Sequence, residues 1–150
     1  MGHTYANLLS HVIFSTKGRR PTIEESFRER LHMYLSGLAR QEFGRALCIG
    51  STENHLHALI SLRTDVAPSK AIGRWKCLSS EWLHETISAS RDFAWQEGYG
   101  IFSVSQSSVP AVIRYIQGQR EHHAMQTFED EFLSFLERHQ VKYDPRWVWD

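Results

Sequence analysis

The sequence predicts an α+β protein built as a ferredoxin-like split βαβ: a four-stranded antiparallel sheet, two helices on one face, and additional C-terminal helices that carry a candidate nucleophile. Three observations predict it. Short apolar or alternating runs mark four strand segments, apolar residues at helical spacing mark the segments between and after them, and the order is strand, helix, strand, strand, helix, strand, then two helices. The 150 residues fit one domain, 1–150, without a linker, an internal repeat or a low-complexity tract, and a chain of this length buries roughly 70% of the surface it would expose unfolded.

The first, central strand lies within residues 7–16, around Val12-Ile13-Phe14, and ends in Lys17-Gly18-Arg19-Arg20-Pro21, whose glycine and proline mark a turn. Thr22 with Glu25 predicts a capping box, and Ile23, Phe27, Leu31, Tyr34, Leu35 and Leu38 recur at helical spacing up to about Phe43. Ala46-Leu47-Cys48-Ile49 and Leu56 to Leu62 flank the turn-forming segment Gly50-Ser51-Thr52-Glu53-Asn54 and predict a hairpin. In its second strand Leu56, Ala58, Ile60 and Leu62 share one face, which leaves His55 and His57 together on the other.

Ser69 is placed to cap a helix whose stripe is Ile72, Trp75, Ser79 and Trp82, with Lys70 and Arg74 stacked on a different side. A fourth strand follows within Gly98-Tyr99-Gly100-Ile101-Phe102-Ser103-Val104-Ser105, and Ser107-Ser108-Val109-Pro110 supplies a helix start. In that third helix Val109, Val112, Ile113 and Ile116 form the apolar stripe, while Tyr115 and Gln119, one turn apart, sit on its shoulder. Thr127 and the acidic run Glu129-Asp130-Glu131 cap a last helix with Phe128, Phe132, Phe135 and Leu136 inward. The aromatic tail, residues 143–149, is expected to dock. With the first and third strands interior, His55 and His57 fall mid-sheet on the face the first two helices leave open, part of which the third helix can cover.

Composition narrows the class. A hydrophobic fraction of 41% with 23% charged residues is that of a soluble globular chain. No apolar run approaches the roughly 18 residues of a membrane span, and the start lacks a signal peptide's pattern, so a cytoplasmic protein is expected. Cys48 and Cys77 are isolated and read as free and buried, not as a zinc motif or a disulfide framework. A net charge of zero argues against a generic DNA-coating protein. The charges are unevenly spread, however: basic residues bunch at Lys17, Arg19 and Arg20 and at Arg63, Lys70, Arg74 and Lys76, whereas the tail from Phe128 is acidic. That distribution suits a local phosphate-binding surface.

One phenol, one amide and two imidazoles, from Tyr115, Gln119, His55 and His57, are what a metal-assisted tyrosine nucleophile needs. Taken singly these residues keep ordinary alternatives. A His-x-His pair also suits a half-exposed sheet face, a tyrosine beside a helix stripe packs with its hydroxyl in water, and His122 and His123 are solvated residues or phosphate contacts. Trp75, Trp82, Phe93 and Trp95 are core, or else a platform for stacking bases.

Several blocks in order carry a resemblance: His11-Val12-Ile13-Phe14-Ser15-Thr16-Lys17 with Arg19-Arg20, His55-Leu56-His57, the Lys70 to Ser80 helix, Gly98 to Ser105, Tyr115-Ile116-Gln117-Gly118-Gln119 with Glu121-His122-His123, and Tyr143-Asp144-Pro145-Arg146-Trp147-Val148-Trp149. Over nearly its whole length the chain resembles the single-tyrosine HUH transposases of bacterial insertion sequences, the TnpA type, and their repeat-associated relatives. The resemblance implies Tyr115 as nucleophile, His55, His57 and Gln119 as ligands of Mg²⁺ or Mn²⁺, a 5′-phosphotyrosine intermediate on single-stranded DNA with hairpin-bearing ends, and a homodimer in which the tyrosine helix can serve the partner's histidines. Lys17, Arg19, Arg20, Arg74 and Lys76 are the candidate phosphate contacts. Asn54 stands where the family commonly has an acidic residue, which predicts weaker orientation of the histidines. Three other readings share parts of this pattern: a domesticated relative that binds repeat hairpins, a non-catalytic ferredoxin-like nucleic-acid binder, and a metal hydrolase that uses water.

Overall fold

The computed structural model describes residues 2–119 and 125–150. Strands β1 (Leu8–Ser15), β2 (Gly44–Ser51), β3 (His55–Leu62) and β4 (Gly100–Ser103) form one sheet in the order β2-β3-β1-β4, every pair antiparallel. Helix α1 (Glu25–Glu42) joins β1 to β2, and α2 (Pro68–Thr86) joins β3 to β4. Helices α3 (Val109–Gln117) and α4 (Phe128–Arg138) follow. The split βαβ expected from the element order is the fold found.

Period-two alternation divides each central strand between two cores. Val12 and Phe14 of β1 and Leu56, Ala58 and Ile60 of β3 meet α1 and α2 through Phe27, Leu31, Leu35, Ile72 and Trp75. Trp75 is fully buried and its indole N–H donates to the Leu35 carbonyl at 2.9 Å, so the largest side chain of this core leaves no polar atom stranded. On the other face Ile13 and Phe102 pack against Phe128, Phe132, Phe135 and Leu136 of α4. Trp95 and Phe93 are buried in the first core, and half-buried Trp82 stacks on Tyr34 at 4.7 Å, which favours the core reading of the aromatics over base stacking.

Two glycines let the second layer approach. A Cβ on Gly50 of β2 would stand 2.4 Å from the Ile116 carbonyl oxygen of α3, and one on Gly100 of β4 would stand 2.7 Å from the Phe132 ring of α4. Gly50 pairs with His57 and Gly100 with Ile13, so both lie on the face that carries the histidines. The absence of side chains at these edges makes the trough into which α3 and α4 settle.

Three local expectations change. No capping box forms at Thr22: Ile23 is drawn wholly into the core with its N–H on the Glu53 carbonyl at 2.8 Å, which keeps this segment extended until α1 starts beyond Glu24. Helix α2 starts at Pro68, so Ser69 lies inside its first turn, and Ala67 holds the cap position without a side-chain bond. Cys77 is exposed on α2 and Cys48 half-buried, both as free thiols. Thr127, by contrast, caps α4 as expected, accepting from the Asp130 N–H at 3.2 Å. The tail docks through Val148 and Trp149. Among the described residues no helix is long and apolar enough to cross a membrane.

His32 links α1 to β2, its Nε2 lying 2.7 Å from Ser51 Oγ. Burial, and then the charge of Arg28, lowers its pKa from 6.5 to about 4. The unfolded chain therefore binds the extra proton first, and stability falls as pH drops from about 6.5 through 4, by on the order of 1–3 kcal/mol. Chemical denaturation between pH 7 and 4 should show a shallower loss for His32→Gln than for the parent; parallel curves would remove His32 from the account.

Candidate active site

Burial of Leu56, Ala58 and Ile60 against α1 and α2 sends the alternate residues His55 and His57 to the opposite face, where both are fully buried. The Nδ1 of His55 is 2.8 Å from Asn54 Oδ1 and 2.8 Å from Thr52 Oγ1. Asn54 precedes the regular strand, in the bend before β3, so its amide turns back to the ring and supplies the orientation that its position was expected to lack. A proton on Nδ1 leaves the Nε2 lone pair of His55 aimed at the site. Facing that nitrogen are Gln119 Oε1 at 3.3 Å and Glu131 Oε1 at 3.6 Å. Gln119 lies just past α3, and its Nε2 donates to the Tyr115 carbonyl at 3.2 Å, which turns Oε1 towards His55.

His57 is held at both nitrogens. Its Nδ1 is 2.8 Å from His11 Nε2 on β1, and its Nε2 is 2.9 Å from Glu131 Oε1 on α4. Tyr115 donates its hydroxyl to the second oxygen of the same carboxylate, and its ring centroid is 5.7 Å from that of His57. A chain of polar groups thus runs from buried His11, His57 and Glu131 to half-buried Tyr115. Burial, then the hydrogen bond and charge of Glu131, hold the Tyr115 phenol well above the ordinary tyrosine range. Burial, then the neighbouring His57, lowers His11 to about 3, so its imidazole is neutral at pH 7. A cavity of about 220 Å³, lined by His11, Ala111, Val112, Tyr115, Phe135 and Arg138, opens beside the phenol.

The structure brings together all four residues expected at the centre: Tyr115, His55, His57 and Gln119. It adds two that the sequence reading did not assign to it, His11 and Glu131. Ligand atoms of His55, His57 and Glu131 lie within 4.8 Å of one another. Two imidazole nitrogens, a carboxylate oxygen and an amide oxygen form a donor set suited to a divalent ion. Signals for the missing pair exist in the sequence. His11 shares its strand face with Ile13, and Glu131 stands three residues after Phe128 and four before Phe135, on the apolar stripe of α4.

The basic candidates separate into two places. Exposed Lys17 and Arg20 and half-exposed Arg19 occupy the turn after β1, tied by the Thr16 N–H to the Asn54 carbonyl at 2.9 Å, and so lie at the His55 end of the sheet. Arg19 pairs with Glu129 of α4 at 2.6 Å and lies over the Trp149 ring. Arg74 and Lys76 are carried by α2, on the opposite face. Arg74 pairs with Glu42 at 3.2 Å, and the Lys76 ammonium donates to the carbonyls of Gln96, Glu97 and Gly98 at 2.9, 3.1 and 2.6 Å. The structure does not bring these two to the histidines. Arg120, Glu121, His122 and His123 lie outside the described residues.

Two solved structures share the fold. A candidate transposase of Deinococcus radiodurans R1 aligns with a TM-score of 0.62 at 18% identity, over 79% of this chain and 96% of that one. A REP-associated tyrosine transposase bound to a REP hairpin aligns with a TM-score of 0.60 at 13% identity, over 82% of this chain and 73% of that one. No curated protein matches the sequence. The family of IS200-like transposases matches residues 4–119, a span that includes β1 to β4, both histidines and the Tyr115 to Gln119 segment, and the chain belongs to that family.

Proposed function

We propose that this transposase cuts and rejoins single-stranded DNA at hairpin-bearing element ends through a covalent 5′-phosphotyrosine on Tyr115, at a centre where His55, His57 and Gln119 hold a divalent metal ion. The observation that carries the reading is the convergence, in one chain, of the Tyr115 hydroxyl with the two imidazoles and the Gln119 amide. The chemistry that Mg²⁺ or Mn²⁺ supplies when bound there is polarisation of a phosphoryl oxygen and stabilisation of the charge that builds on it. Tyr115 Oη forms the new bond to phosphorus as the bond to the 3′ oxygen breaks. The phenol proton leaves and the 3′ oxygen gains one, giving a free 3′-hydroxyl. The ester to Tyr115 conserves the bond, so rejoining is the same displacement reversed.

Among the candidate phosphate contacts, Lys17, Arg19 and Arg20 are supported by their place at the His55 end. Arg74, paired with Glu42, and Lys76, whose ammonium is taken up by the Gln96, Glu97 and Gly98 carbonyls, have no such support. Tyr115 stands with the histidines of its own chain, which supports catalysis in cis, and a homodimer would then serve to hold two DNA ends. The 0% exposure of His55 and His57 favours a second reading, a domesticated relative that binds hairpins without cutting them.

Incubation with labelled single-stranded hairpin DNA, with Mn²⁺, Mg²⁺ or chelator, separates the two. A metal-dependent covalent band whose nuclease-trimmed peptide contains modified Tyr115 is expected. Tight binding without an adduct under every metal condition would leave only the binding reading. His11 acts here by holding His57, so His11→Leu should weaken Mn²⁺ binding by about 10–100-fold, the range seen when partners behind a ligand are removed, and His11→Gln should recover most of it. Equal affinity for the parent and His11→Leu would make that hydrogen bond irrelevant to the metal.

A further inference from the structure

We propose that Glu131 is a fourth protein ligand of the metal centre, a carboxylate that α4 adds from beyond the part of the chain matching the family. The inference rests on the metal reading above and changes its ligand set. Glu131 lies outside the matched span of residues 4–119. One of its oxygens is 2.9 Å from His57 Nε2 and 3.6 Å from His55 Nε2, and the other receives the Tyr115 hydroxyl. Atoms that ligate one ion at about 2.0–2.2 Å stand roughly 3 Å from each other, and the separations from Oε1 to the two imidazoles, like that from Gln119 Oε1 to His55, are of this size.

The placement of the side chain points the same way. Glu131 is 1% exposed, on a helix stripe otherwise made of Phe128, Phe132 and Phe135. Its carboxylate turns from that stripe towards the two imidazoles and the phenol, where a divalent cation would meet it. The Thr127 cap fixes the first turn of α4 and with it the height of Glu131 over β3. With this residue the set becomes two imidazoles, one amide and one carboxylate. The added anionic oxygen suits Mg²⁺ or Mn²⁺ better than the neutral ligands alone. The same carboxylate that receives the Tyr115 hydroxyl would then also help to hold the ion.

Calorimetric titration of MnCl₂ into the full chain without DNA tests this, using the parent, Glu131→Gln, Glu131→Asp and His57→Ala, each checked by circular dichroism and thermal melting. Glu131→Gln keeps the size and is expected to raise the Mn²⁺ Kd at least about tenfold. His57→Ala is expected to lose measurable binding. Should Glu131→Gln fold poorly, Glu131→Asp, which keeps the charge but shortens the reach, must still bind more weakly than the parent. A Glu131→Gln affinity within about twofold of the parent, with binding lost in His57→Ala, would overturn the ligand assignment and leave the metal reading intact. A parent protein that binds no Mn²⁺ at millimolar concentration would overturn both.

Discussion

Tyr115→Phe is expected to abolish the covalent protein–DNA product and to slow strand cleavage by about 10⁴-fold or more, the scale on which removing a catalytic nucleophile acts. Little else should change. The ring keeps its edge contact with Phe135 at 5.6 Å and its place beside His57. What is lost is the donor to Glu131, worth about 1–3 kcal/mol of stability when a buried acceptor is left short of a partner. DNA affinity should therefore stay close to that of the parent while the adduct disappears, and gel analysis beside a binding assay reads both. On the proposed cis arrangement, mixing Tyr115→Phe with His57→Ala chains should restore nothing. Restoration would mean exchange of α3 between subunits, and cleavage that survives Tyr115→Phe would mean that water is the nucleophile.

Gly50→Val is expected to lower cleavage about 100-fold without touching a catalytic group. A Cβ there already collides with the Ile116 carbonyl at 2.4 Å and the Ile116 side chain at 2.9 Å, both on the turn of α3 that carries Tyr115. The strand is anchored by its pairing with β3, so the helix must give way. Displacing reacting groups by about 1 Å is enough for a loss of that size, and overpacking adds roughly 1–3 kcal/mol of destabilisation. The informative comparison is between residual activity and the fraction folded at the assay temperature. Activity that only tracks the folded fraction would reduce Gly50 to a stability position.

Much of this site was legible in the sequence because its parts obey local periodicity. The alternation of β3 separates His55 and His57 from Leu56, Ala58 and Ile60, and the helical spacing of Tyr115 and Gln119 puts them one turn apart. Even the start of α4 could be read, from Thr127 and the acidic residues after it. Glu131 escaped because an acid in a first turn has a sufficient local explanation in the helix dipole. Its real surroundings depend on α4 lying over the sheet, which no local pattern fixes. His11 belongs to a local motif of β1, but its contact with His57 depends on the pairing of β1 with β3, which sets Ile13 opposite His57 and His11 one step further along the same face. The missed caps at Thr22 and Ser69 have a similar origin: at the first, burial of Ile23 overrides the local signal, and at the second Pro68 starts the helix early.

The shared strand β3 has one more consequence. Its even-numbered residues 56, 58 and 60 fill the large core and its odd-numbered residues 55 and 57 face the candidate site. Sliding β3 by a single residue along its neighbours would put imidazoles against Trp75 and hydrocarbon beside Tyr115, and would forfeit both arrangements at once. The hydrophobic effect on one side of the sheet therefore acts as an error check on the aim of the histidines on the other. The placement of the candidate site is underwritten by residues on the far side of the sheet from it.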